Sequence, residues 1–373
     1  MSVALRPDGS VLGRWWGTVD RLTLTALVLL IAVGMLMTVA ASPAVAVRIG
    51  LDAYAFVRKQ LVYLPAAAAL MLAVSLLGPR GVRRLALAGF AVAFALTAAT
   101  LVVGSEIKGA RRWLSLSGVS LQPSEFLKPC FAVLTAWLFA EGARAQRGLG
   151  EAGACLLLAA VLAVLKLQPD IGMAAVVLSV FLAQWFVAGL RLFWVGVLGG
   201  LAAAGAVSAY ALFPHVQSRV HRFLDPASGD NYQVSTALEA FANGGLTGRG
   251  PGEGRVKNIL PDAHADFVFA VAGEEFGMLV CLGIVALFAF VVIRGFVRLL
   301  GETDAFVMIA GTGLLTQFGL QAFINMASSL HLIPTKGMTL PFVSYGGSSV
   351  FAVALGMGML LGLTRRRHHG EAG

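Results

Sequence analysis

Between Ile259 and Gly277 the chain reads Ile-Leu-Pro-Asp-Ala-His-Ala-Asp-Phe-Val-Phe-Ala-Val-Ala-Gly-Glu-Glu-Phe-Gly, which sets Asp262, His264, Asp266, Glu274 and Glu275 at the mouth of a strongly apolar segment. Carboxylates at such a boundary are costly, so an ionisable cluster there is a functional site by default. The chemistry open to it is proton abstraction. Phe267-Val-Phe-Ala follows Asp266 directly, and desolvation by that flank raises the basicity of a carboxylate. Asp266 is therefore the candidate general base, although an aspartate here also suits the N-terminus of the helix that follows. His264 is placed either to orient Asp266 or to face solvent. Glu274 and Glu275 lie about two helical turns further on; one of them is placed to face the bundle interior and pair with a basic residue, with a structural ion pair as the plainer role.

The elements that must position this cluster are membrane helices. Hydrophobic residues make up 58% of the 373, charged residues only 13%, and the mean hydropathy is +0.82. That composition excludes an ordinary soluble domain. Apolar runs long enough to cross the hydrocarbon occur near 22–42, 61–78, 85–104, 126–142, 152–167, 171–188, 193–213, 267–293, 305–324 and 341–363. The expected fold is an all-α polytopic membrane protein of about ten transmembrane helices, with a long extracytoplasmic loop between helices 7 and 8. The runs at 152–167 and 171–188 read as two helices joined by a tight turn. The expected organisation is a cytoplasmic tail over 1–21, a membrane domain over 22–364 with outer loops 105–125 and 214–265, and a basic tail over 365–373. The first run is too long for a signal peptide and is followed by further spans. Cys130, Cys155 and Cys281 fall inside apolar runs and read as small core residues.

With a cytoplasmic N-terminus, Arg14, Arg21, Arg80, Arg83, Arg84, Arg144, Arg191, Arg294, Arg298 and Arg365 lie beside the spans on the inside. Both termini are then cytoplasmic. The same topology leaves Lys108, Arg111, Arg112, Lys128, Arg219, Arg222, Arg249, Arg255, Lys257 and Lys336 outside, against the positive-inside rule. An anionic extracytoplasmic substrate accounts for that excess; neutralisation by lipid headgroups or a partner is the plainer account.

In the long loop, Val234, Leu238 and Phe241 share one face of an amphipathic helix expected to lie on the membrane surface, stopped by Gly244-Gly245. The stretch 245–255 is glycine-rich, but it lacks the strand and the Gly-Lys-Ser/Thr of a nucleotide loop. It reads as a flexible basic loop that folds over substrate.

Four blocks now point to one family: Gly109-Ala-Arg-Arg-Trp113 with Gln122-Pro-Ser-Glu-Phe-Leu-Lys128; Gln168-Pro-Asp-Ile-Gly172; the run from Gly250 to Phe267; and Pro334-Thr-Lys-Gly-Met-Thr-Leu-Pro-Phe-Val-Ser-Tyr-Gly-Gly-Ser-Ser349. The chain resembles the SEDS (FtsW/RodA) family over nearly its whole length, and Pro334-Thr-Lys-Gly looks more like its FtsW branch. Ala265 departs from the family's His-Thr-Asp pattern.

The resemblance implies a peptidoglycan glycosyltransferase that polymerises lipid II at the outer face of the cytoplasmic (inner) membrane during septal wall synthesis. Its implied partners are a class B penicillin-binding protein transpeptidase (FtsI-like) and other divisome membrane proteins, with no nucleic acid. Asp266 matches the family's catalytic aspartate.

Lipid II carries its own pyrophosphate leaving group. The reaction therefore needs a base for the attacking hydroxyl and positive charge for the departing diphosphate, and direct displacement inverts the anomeric centre. Arg112 and Lys128 are the candidates for diphosphate contact. Glu125 lies three residues before Lys128, so an intrahelical pair competes as its explanation. Gln122, Ser124, Gln168, Asp170, Arg219, His264, Glu275, Lys336, Ser344, Tyr345 and Ser348 complete the substrate-site candidates. No set of residues has metal-site spacing, while pyrophosphate chemistry leaves room for a divalent cation, Mg2+ or Mn2+, bridging to Asp266. The rivals are a lipid II flippase, an elongation polymerase of the RodA kind and a noncatalytic scaffold.

Overall fold

The computed structural model describes residues 10–107, 110–116, 119–145, 148–212, 217, 221, 223 and 232–366. The candidate Arg219, its neighbour Arg222, residues 1–9 of the first tail and 367–373 of the last lie outside them. A short helix, α1 (Val11–Thr18), precedes the first long one and donates the Trp15 indole N–H to Ser75 Oγ at 2.9 Å. The long helices are α2 (Arg21–Arg48), α3 (Ala55–Ser75), α4 (Pro79–Val103), α5 (Pro123–Ala145), α6 (Leu149–Leu167), α7 (Ile171–Val187) and α8 (Leu192–Leu212). After α9 (Tyr232–Gly244) come α10 (Val268–Leu299), α11 (Ala305–Ser329) and α12 (Gly347–Leu363).

Each of the ten expected apolar runs is thus carried largely by a helix, although 341–363 becomes helical only at Gly347, and the fold is mostly helical and polytopic. Seven of these helices are long and apolar enough to cross a membrane, while Ile171–Val187 and Gly347–Leu363 are shorter apolar helices. The turn between α6 and α7 is tight, as expected, and Asp170 caps α7 by accepting the Met173 N–H at 3.1 Å. The centre of the bundle is α5, α11 and α12: α5 and α11 are each 67% buried in their most apolar stretch against 17% for α6, and α12 is buried except at Gly347 and Phe351. At the end of the bundle opposite the 259–266 segment, Asp20 ties α2 to α10 through two 2.8 Å bonds from Arg294.

Two features depart from a purely helical reading. The outer loop after α4 forms a small antiparallel meander, β1 (Ser105–Ile107), β2 (Ala110–Leu116) and β3 (Val119–Leu121). In its register Glu106 faces Arg111 and Ser105 faces Trp113, so Arg112 is the extra residue of a β-bulge. Bulges re-aim a side chain next to a site.

The second departure is α9, which packs on α10 with a face other than the one expected. Its buried positions are Val234, Thr236, Ala237, Ala240 and Gly244, whereas Leu238 is 40% exposed. The face expected from Val234, Leu238 and Phe241 is therefore rotated. The physical reason is Gly244, where a Cβ would sit 1.9 Å from the Gly273 carbonyl oxygen, so that only glycine lets the two backbones meet.

Beyond α9 the glycine-rich stretch is pinned to α10, where a free flexible loop was expected. Gly277 interrupts α10 with φ 80° and ψ 178°, and the backbone groups freed by that break find partners in the loop. Met278 N–H donates to Gly245 O at 2.9 Å and Leu279 N–H to Leu246 O at 3.2 Å. In return Arg249 N–H donates to Glu274 O at 2.9 Å and Gly250 N–H to Glu275 O at 3.0 Å.

Candidate active site

A cavity of about 830 Å³ opens beside the Asp266 segment. Its walls come from the bulge at Arg112, the α6–α7 turn at Pro169–Gly172, the start of α9 at Tyr232–Val234, and the segment Pro334–Met338 that leads back toward α12; Phe223, Pro261 and His331 complete it. Four stretches far apart in sequence therefore share one concave surface with basic, amide and aromatic groups.

Arg112 braces one wall. Its Nε donates to Gln168 O at 3.1 Å, Nη2 donates to Pro169 O at 2.7 Å, and Nη1 lies 3.3 Å from Asp170 Oδ2. These contacts fix the α6–α7 turn and still leave two of the five N–H groups of a guanidinium without a partner among them. Across the cavity, Lys336 packs its stem over Gly172, with Cδ 3.4 Å from where a Cβ would stand.

Asp266 itself stands just behind the wall. A Cβ built on the wall residue Gly337 would lie 3.0 Å from Asp266 Oδ2, so the carboxylate rests against the bare side of that glycine. It is half-buried. Its backbone is held with unusual completeness: Tyr345 N–H donates to His264 O at 3.0 Å, Ser344 Oγ to Ala265 O at 2.5 Å, and Asn325 Nδ2 to Asp266 O at 2.9 Å. Three successive carbonyls are anchored to three different donors. The Asp262 carbonyl closes the turn by accepting the N–H groups of Ala265 and Asp266, both at 3.0 Å.

His264 does not face solvent. Its ring stacks on Phe56 at 4.7 Å and packs against Tyr345 at 5.3 Å, and its Nδ1 has no hydrogen-bond partner. Burial pushes its pKa down to about 4, with Arg48 adding to the fall and Asp262 opposing it, so the imidazole is neutral near pH 7 and acts as an apolar wedge. Burial likewise pushes the Tyr345 phenol up to about 12.

Several other candidates lie away from the cavity. Lys128 is 3% exposed; its Nζ is 3.0 Å from Glu125 Oε2 and donates to Gln321 Oε1 at 3.0 Å. It does not face Asp266 across the cavity, and the intrahelical pair that competed for it has formed. Ser124 is buried, its Oγ without a partner among the described residues. Gln168 is also buried and donates to Thr97 O at 3.1 Å and Thr100 Oγ1 at 2.5 Å, tying α6 to α4. Gln122 and Ser348 meet each other, backbone N–H to Oγ at 2.9 Å. Ser344 is spent on the Asp266 segment.

Glu275 and Glu274 are receptors for the glycine-rich loop. Glu275 is 1% exposed and takes Lys257 Nζ at 2.5 Å and Gly252 N–H at 2.8 Å. Glu274, fully buried, takes the N–H groups of Arg255 at 3.0 Å and Val256 at 2.9 Å. The basic residue expected to pair with a glutamate here is Lys257, and the structural ion pair that competed as the role of Glu275 has formed. Part of the positive excess expected outside has the same explanation: Lys128 and Lys257 are neutralised inside the protein, and Arg249 contacts Glu274 at 3.8 Å and Asn243 Oδ1 at 2.9 Å.

The scan for families matched the "Cell cycle protein" model of FtsW, RodA and SpoVE over residues 20–369. The chain belongs to this family. The probable peptidoglycan glycosyltransferase FtsW of Caulobacter vibrioides is 46% identical over 363 residues, covering 97% of this chain and 93% of that one. Its counterpart in Alkalilimnicola ehrlichii is 37% identical, covering 94% and 90%. Among solved structures, a chain of a peptidoglycan synthase complex that coordinates polymerization and crosslinking superposes with TM-score 0.76 at 28% identity, covering 93% of this chain and 97% of that one. The rod shape determining protein RodA of Thermus thermophilus gives 0.69 at 28% identity, covering 93% and 96%.

Sequence reasoning missed Tyr232, His331 and Asn325. Asn325 carried a readable signal, since with Gln317 and Gln321 it forms a polar stripe at i, i+4 spacing in an otherwise apolar helix. Tyr232 and His331 carried none, because only tertiary packing brings them to the cavity.

Proposed function

We propose that this protein is a peptidoglycan glycosyltransferase that polymerises lipid II, with Asp266 as general base. The observation that carries this reading is the Asp266 carboxylate held against Gly337 in a wall of an 830 Å³ cavity, with Lys336 on the same wall and Arg112 on another. An acceptor sugar hydroxyl attacks the anomeric carbon of the donor as its bond to the diphosphate oxygen breaks. The hydroxyl proton passes to Asp266, and the electron pair leaves on the diphosphate. Arg112 and Lys336 supply positive charge to that leaving group in a partly dehydrated site. No nucleotide is consumed, because the diphosphate ester already carries the activation. The displacement inverts the anomeric centre.

Lys128 enters this account indirectly. It holds Gln321, whose Nε2 donates to Thr339 O at 3.1 Å in the segment that carries Lys336.

Among the described residues no group of three His, Cys, Asp or Glu side chains converges on a metal site. An Mg2+ or Mn2+ ion would therefore have to come with the diphosphate, held between it and Asp266.

The kinship with FtsW supports action at the division septum of the inner membrane, with both termini cytoplasmic and a class B penicillin-binding protein (FtsI-like) among other divisome membrane proteins as partner. The RodA likeness favours the same chemistry in elongation as the second reading.

Reconstitution of the purified chain with its cognate transpeptidase and labelled lipid II tests the proposal. Wild type should make glycan chains, and Asp266→Ala and Asp266→Asn should not; equal polymer from the variants would remove Asp266 from the role. Lipid II crossing proteoliposomes without any polymer would identify a flippase instead.

A further inference from the structure

We propose that Asn325 is a positioning residue that clamps the two halves of the site together, fixing the Asp266 carboxylate relative to the cavity wall. The inference rests on Asp266 being the base. Asn325 sits in α11 with no exposed surface. Its Nδ2 makes two hydrogen bonds, to Asp266 O at 2.9 Å and to Met338 O at 2.6 Å. One of these carbonyls belongs to the residue that carries the carboxylate. The other belongs to the neighbour of Gly337, against which that carboxylate rests. A single NH2 group thus sets the separation between base and wall.

The residue type is informative. An amide nitrogen has two hydrogens, and both are spent on acceptors here. The carbonyl half, Oδ1, is buried without a hydrogen-bond partner among the described residues. A buried orphan acceptor is costly, so what the site gains from this amide lies on its donor side. Serine would offer one hydrogen, alanine none, and aspartate would turn an oxygen toward two carbonyl oxygens. One turn earlier on the same helix, Gln321 donates in like manner to Thr339 O at 3.1 Å. Successive carbonyls of the wall segment, those of Met338 and Thr339, are therefore both anchored to α11. Only the Asn325 amide also reaches the Asp266 segment.

A clamp of this kind acts on the geometry of proton transfer and leaves substrate contacts in place, so its loss appears in kcat. Displacement by about 1 Å from the productive arrangement costs on the order of 100-fold.

The test uses the full chain reconstituted with its transpeptidase, with labelled lipid II titrated as substrate. Asn325→Ala and Asn325→Asp should lower kcat by roughly 10- to 100-fold, with the KM for lipid II within about twofold. Adding Asn325→Ala to Asp266→Asn should cost nothing further, because the two act as a unit. A wild-type kcat, or a raised KM at constant kcat, overturns the clamp. If the Asn325 variants fail to elute as monodisperse protein, Ser344→Ala takes their place: it frees the adjacent Ala265 carbonyl, and the same fall in kcat at constant KM is expected, a wild-type kcat again overturning the proposal. Asp266→Asn measured alongside separates the two levels. If it is inactive while Asn325→Ala is unimpaired, the clamp alone fails; if it polymerises normally, the reading of Asp266 fails and the clamp with it.

Discussion

Asp266 and the pair Glu274–Glu275 belong to one short stretch of chain, carry the same functional group, and have opposite fates. The two glutamates are buried and saturated: four donors from the glycine-rich loop, Gly252, Arg255, Val256 and Lys257, converge on them. Around Asp266 the backbone receives that care, with the carbonyls of His264, Ala265 and Asp266 each anchored, while the carboxylate is set at the edge of a cavity. A buried carboxylate whose acceptor capacity is filled by the protein is a structural element, since its desolvation is offset only by those fixed donors. A carboxylate on a rigid backbone beside a cavity is suited to exchange a proton. What separates them is burial under a loop against a place at a cavity wall, and sequence alone does not carry that.

The comparison can be broken by substitution. The largest effect belongs to Asp266→Asn, which should lower lipid II polymerisation by about 10²- to 10⁴-fold, the usual contribution of a general base, with thermal unfolding in detergent unchanged. Next is Lys257→Ala, which strands Glu275 in the interior. Its expected cost is about 3–5 kcal/mol of stability, read as a lower melting temperature and as earlier proteolysis in the 245–257 loop.

The His264 wedge gives a pH signature of somewhat smaller size. Its pKa in the folded protein is about 4, against 6.5 for an ordinary histidine, so below pH 6.5 the unfolded chain binds a proton that the native state refuses. Stability from this group is complete above about pH 6.5 and is lost as pH falls toward 4, by about 3 kcal/mol in all. His264→Phe, which keeps the stack on Phe56, should flatten that part of the curve. An unchanged curve would show that the wedge is not the source.

The smallest effect is Gly337→Ala. Its Cβ would press within 3.0 Å of Asp266 Oδ2, and a shift of a few tenths of an ångström in the carboxylate should cost roughly tenfold in kcat with little change in melting.

The helices were legible because each apolar run is long enough to demand a span, and Asp266 because a carboxylate at a membrane boundary is expensive. The β-bulge that aims Arg112 was not, since its register depends on how Ser105 and Glu106 pair. The rotated face of α9 was hidden in the contact between Gly244 and Gly273, which no periodicity marks. Lys128 and Glu275 were assigned to substrate because their charges suit a diphosphate or its base. Their partners, Gln321 and Lys257, are 193 and 18 residues away, and only the fold brings them together. Local charge identifies which groups must be satisfied, and the fold decides whether protein or substrate satisfies them.

Polymerisation and melting measured on the same preparations of Asp266→Asn and Glu275→Gln test that division most directly. Asp266→Asn should melt with the wild type and make no glycan, whereas Glu275→Gln should melt lower while its folded fraction still polymerises lipid II. Glycan made by Asp266→Asn, or a Glu275→Gln protein of wild-type stability that makes none, would contradict it.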